Sequence, residues 1–90
     1  MRIIITVLGA DRPGIVALVS NCLYENNVNI LDIHQTVMAD GVFTMSMLAD
    51  CGKMNSSFAD FRAAIDAVSE KLGMEIRVQR EELFTSMHRI

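Results

Sequence analysis

The 90-residue chain has no long apolar run. Its longest early stretch, Ile3 to Leu8, is too short for a signal-peptide core or a membrane span, so the expectation is a soluble, cytoplasmic protein with no membrane partner. There is no basic excess. Eight Lys and Arg stand against eleven Asp and Glu, a net charge of -3, and that leaves no footprint for nucleic acid. Cysteine is scarce. Cys22 and Cys51 show no metal-ligand spacing, which fits two buried thiols in a reducing compartment. No linker, charge block, long repeat or low-complexity tract divides the chain, so it is read as one domain. Against these absences stands an abundance of apolar side chains, 51% of the chain, with a mean hydropathy of +0.31. A small domain has little interior in which to hide them, and a second copy of the chain would cover some.

"RIIITVLG" is a short β-branched run stopped by glycine, hence a strand, and its apolar character on both faces suits a central position. Pro13 suits the first turn of a following helix. Ile15, Val16, Leu18, Val19, Cys22 and Leu23 then line one helical face, and "ENN" at Glu25 to Asn27 ends it. From Val28 to Met38 the period becomes two. Leu31, Ile33 and Val37 form a face expected to meet helices, with Asp32, His34 and Thr36 opposite. "ADG" at Ala39 to Gly41 signals a hairpin. Phe43, Met45, Met47 and Ala49 alternate with Thr44, Ser46 and Asp50 in the next strand. "NSS" at Asn55 to Ser57 caps a second helix. Phe58, Phe61, Ile65, Val68 and Leu72 form its apolar stripe, Ala63, Ala64 and Ala67 allow close approach, and Gly73 stops it. Met74, Ile76 and Val78 alternate with Glu75, Arg77 and Gln79 in a last strand.

The order strand, helix, strand, strand, helix, strand predicts an α+β fold, a ferredoxin-like βαββαβ sandwich. Its four-stranded antiparallel sheet would carry both helices on one face. Residues 1–80 would form this domain. Residues 81–90 would form a short helical tail, suggested by Leu83, Phe84, Met87 and Ile90.

Chemistry-bearing patterns are few. "GADRPG" lacks both the P-loop lysine and the dinucleotide spacing. A helix start still offers N–H groups, here those of Gly14, Ile15 and Val16, which favour a carboxylate by about 0.3–1 kcal/mol. Asp11 beside them attracts an ammonium group, and Asn29 can donate and accept. An amino acid carries both charges. On composition alone the same turn reads first as a turn and cap with a packing role, ahead of any ligand. Asp32, His34 and Asp50 do not make a metal site, because no third close ligand accompanies the first two. His34 has no nucleophile or acid partner in sight. No catalytic constellation emerges, so an enzyme is not expected, and no cofactor or metal is implied.

"DRPGIVALVS", with "NVNILDIHQ" following, resembles the ACT domain, a ligand-sensing module with the same element order. The similarity runs from about Met1 to Arg80. Within the family it is most similar to the "DRPGIV" type found in formyltetrahydrofolate deformylases, in glycine-cleavage regulators and in small free-standing ACT proteins. The resemblance implies binding of an amino acid or similar small molecule at an interface between two domains. It implies a ligand-binding set of Asp11, Arg12, Gly14, Ile15, Asn29 and Ile30, with Gly14 and Ile15 contributing backbone groups. Two positions depart from serine-binding members: Asp11 replaces an amide, and Gly9 stands where those members place a polar side chain. With no effector domain in the chain, the expectation is a homodimer that regulates a separate enzyme or regulator. The alternative is an interaction module without a ligand, acting through its sheet edge or tail.

Overall fold

In the computed structural model, which describes residues 1–82, the six elements follow in the expected order. They are β1 (Arg2–Ala10), α1 (Ile15–Glu25), β2 (Asn29–Val37), β3 (Val42–Asp50), α2 (Phe58–Leu72) and β4 (Glu75–Arg80). The sheet order is β2-β3-β1-β4, and every neighbouring pair is antiparallel. β1 is therefore central. Ile3, Ile5 and Val7 on one of its faces are fully buried beneath the helices. Its other face lies on the uncovered side of the sheet, where Leu8 is 43% exposed. Phe43, Met45, Met47 and Ala49 of β3 complete the inner face of the two central strands.

Above this face sit α1, through Ile15, Val19, Cys22 and Leu23, and α2, through Phe61, Ile65 and Leu72. The Ser57 hydroxyl accepts a hydrogen bond from the Asp60 N–H at 3.0 Å and so caps α2. Gly73, at φ 64°, ends that helix in the left-handed conformation. Asn26 closes α1, its side-chain amide donating to the Cys22 carbonyl at 2.8 Å. Asn27 follows in the left-handed region at φ 55°. Among the alanines of α2, Ala64 is half-buried, whereas Ala63 faces solvent.

Three expectations need correction or fall outside the structure. Pro13 is not in the first helical turn. Gly14 is the N-cap at φ 89°, a conformation that belongs to no right-handed helix, so α1 starts only at Ile15. The apolar residues of β2 do not meet the helices. β2 is an edge strand, with Ile33 39% and Val37 51% exposed. The register puts both opposite inner-face residues of β3, Met47 and Phe43, but the helical layer does not extend over them. Leu31, 46% exposed, lies at a β-bulge between Ile30 and Asp32, where an extra residue has no cross-strand partner. The helix expected from Leu83, Phe84, Met87 and Ile90 lies outside the described residues.

Candidate functional site

The turn from β1 into α1 gathers four of the six candidate residues. The Asp11 N–H donates to the Gly41 carbonyl at 2.9 Å, which ties the turn to the β2–β3 hairpin. The Asp11 carboxylate is exposed and makes no hydrogen bond or ion pair among the described residues, so it is not a helix cap. The first turn of α1 has neither a side-chain cap nor an acidic residue. Its opening N–H groups, from Ile15 to Ala17, have no acceptor within the helix. The electrostatic character of the turn is thus a set of bare donors next to one free carboxylate. The Ile15 side chain is buried, so only its backbone can face a ligand. Arg12 reaches the other way and donates to the Leu72 carbonyl, 3.4 Å away, at the C-terminal end of α2. That contact braces the turn and complements the negative helix end.

Gly9 precedes this turn. A Cβ placed there would lie 2.9 Å from Cγ of Met74. The buried Met74 side chain therefore fills the space that a side chain at position 9 would need, which accounts for glycine there.

Asn29 and Ile30 sit at the opposite end of the sheet. Asn29 pairs with Asp50, and Asp50 with Arg2, whereas the turn adjoins the end where Ala10 pairs with Val42. The nine residues of β2 separate the two groups by roughly 26 Å at about 3.3 Å per residue. One chain does not bring all six residues together. Ile30 is half-buried and packs on the core, so its side chain serves the fold.

Beside Asn29 the structure holds a cleft of about 520 Å³, lined by Tyr24, Asn27, Val28, Asn29, Asp50 and Lys53. This volume is in the range of small-molecule sites. The Asn27 side chain donates to the Lys53 carbonyl at 2.7 Å and holds the β3–α2 loop against the end of α1. Asp50 accepts from the Gly52 N–H through Oδ1 at 2.8 Å. Tyr24 stands 80% exposed at the rim. Sequence reading passed over Tyr24, Asn27 and Lys53. Their only local signal is polarity near element ends, and the cleft arises when loops far apart in the chain converge.

The remaining polar candidates stay apart from both places. His34 and Asp32 contact each other at 3.0 Å on exposed β2, and among the described residues no three-ligand cluster suited to a metal occurs. Both cysteines are buried free thiols. Burial, then the Glu25 carboxylate, pushes the Cys22 thiol above its ordinary pKa. Burial, aided by Asp50 and opposed by the N-terminal ammonium, does the same at Cys51. Neither is set up as a nucleophile. No helix among the described residues is long and apolar enough to cross a membrane.

A sequence model of the ACT domain matches residues 1–79. A UPF0237 protein of Methanosarcina acetivorans is 52% identical over 89 residues, covering 99% of this chain and 96% of that one. Among solved structures, an ACT domain protein from Streptococcus pneumoniae is similar at TM-score 0.79 and 38% identity, covering 93% of each chain. A formyltetrahydrofolate deformylase from Pseudomonas syringae matches at TM-score 0.79 and 28% identity. It does so over 88% of this chain but only 27% of its own, so the likeness covers a small part of that enzyme.

Proposed function

Because the chain belongs to the ACT domain family, we propose that it is a regulatory module that binds an amino acid or a similar small molecule at a homodimer interface and acts on a partner protein. One observation carries this reading. The donor-rich turn and Asn29 lie at opposite ends of β2, and β2 is an exposed edge strand bearing Ile33 and Val37. An unpaired edge with apolar side chains favours addition of another strand. Twofold antiparallel pairing of two β2 strands sets the turn of each copy near Asn29 of the other. The helix-start N–H groups would take the ligand carboxylate, Asp11 its ammonium, and Asn29 either group.

A thermal-shift panel of the twenty amino acids tests this first. A ligand at 100 times its Kd adds about 2.7 kcal/mol to stability. Calorimetric titration of Asp11→Ala with the best hit follows. Loss of a charge-assisted contact should weaken binding by about 1.5–3 kcal/mol, and Asn29→Ala should cost less. Unchanged affinity in a folded Asp11→Ala protein removes Asp11 from the site. A flat panel from a stable dimer supports the ligand-free interaction module, for which the exposed β2 edge is the contact surface.

A further inference from the structure

The cleft beside Asn29 has a charge pattern that the interface reading does not use. Its lining carries one basic side chain, Lys53, one acidic side chain, Asp50, and the Tyr24 phenol. Among the described residues, no hydrogen bond or ion pair engages the Lys53 ammonium, the Asn29 amide or the Tyr24 hydroxyl, and Asp50 spends only Oδ1, on Gly52. The backbone carrying Lys53 is fixed. Besides the Asn27 contact, the Ser56 hydroxyl donates to Asn26 Oδ1 at 2.8 Å, and the Asn55 N–H donates to the Asn26 carbonyl at 3.1 Å.

We propose that this cleft reads the side chain of the bound amino acid and selects a carboxamide, the glutamine or asparagine class. The inference rests on the reading above, in which the α-amino and α-carboxylate groups lie between Asn29 and the turn of the other copy. A charged side chain entering the cleft would meet a repelling group along with an attracting one. An apolar side chain would strip water from Lys53 and Asp50 and return no hydrogen bond. A carboxamide presents its carbonyl to the Lys53 ammonium and its NH₂ to the Asp50 carboxylate. A hydroxyl offers donor and acceptor at a single short-reaching atom. A site built on such pairs rejects the ligand that lacks the polar group, because its own groups then lose their partners.

The test is calorimetric titration of the full chain with glutamine, asparagine, glutamate, aspartate and alanine, in wild type, Lys53→Met, Asp50→Asn and Asp11→Ala. The wild type should bind one of the two amides about tenfold or more tighter than alanine and than the matching acid. Lys53→Met and Asp50→Asn should each shrink that preference towards one. Asp11→Ala should weaken every ligand and keep the preference. An amide that binds no tighter than alanine, or a preference untouched by Lys53→Met, overturns the cleft assignment while leaving the interface intact if Asp11→Ala still weakens binding. A preference that responds to Lys53→Met in a protein indifferent to Asp11→Ala upholds the cleft and removes the turn. Absence of binding by all five amino acids overturns the carboxamide assignment, and the panel of twenty then decides the interface reading separately.

Discussion

Ile65 sits at the middle of the α2 stripe, 1% exposed, one turn from fully buried Phe61. Truncation to alanine leaves a cavity under the helix that the rigid sheet below cannot collapse to fill. Ile65→Ala should therefore cost about 2–5 kcal/mol, a large share of the stability of a small domain. Lys71, exposed in the last turn of the same helix, should tolerate alanine within about 0.5 kcal/mol. Urea midpoints of the two variants check this, and equal midpoints would contradict the helical phase. Residues at the turn divide their work in a similar way. Arg12 and Ile15 commit their side chains to α2 and to the core, whereas Asp11 spends only its backbone on structure. Its carboxylate is the part left for a ligand.

At the scale of elements, most of the fold was legible because period and punctuation agreed. Phe43, Met45, Met47 and Ala49 alternate inward as their spacing implies. Ser57 and Gly73 bound α2, as a cap residue and a left-handed stop should. β2 was harder to read. Its alternation is real, but burial of an edge strand depends on how far the helical layer reaches, which no local pattern encodes. The bulge at Leu31 disturbs the register further. The candidate site was legible at the turn, where four residues adjoin in sequence. It was not legible at the cleft, where Tyr24 comes from the last turn of α1 and Lys53 from the β3–α2 loop. The exposed β2 edge gives its own prediction. Ile33→Lys puts a charge on the face where a second β2 would pair, at little cost to a side chain already partly in solvent. Sedimentation at micromolar concentration should show the wild type as a dimer and Ile33→Lys shifted towards monomer, with ligand affinity reduced. A monomeric wild type would remove the shared site.

The described residues form a thin slab, 36 × 35 × 19 Å, with both thiols on the helical side of the sheet or at its end and neither exposed. Folding raises both thiol pKa values, so the folded chain keeps protons that the unfolded chain gives up. The stability held in this way is complete below the ordinary thiol pKa of about 8.5 and is lost as pH rises through the elevated folded values. The urea midpoint should fall as pH rises above the ordinary thiol pKa, and the decline should be shallower in Cys22→Ala/Cys51→Ala. An identical slope in that double variant would assign the alkaline loss to other groups. The strand order reaches beyond equilibrium to biosynthesis. β1 leaves the ribosome first, yet one of its two neighbours is β4, which leaves last, with Ile3 paired to Arg80. At about 5–20 residues per second, several seconds pass before that edge can close. Throughout them the nascent chain carries the greasy face of Ile3, Ile5 and Val7 half-sheltered, a surface open to aggregation until β4 arrives.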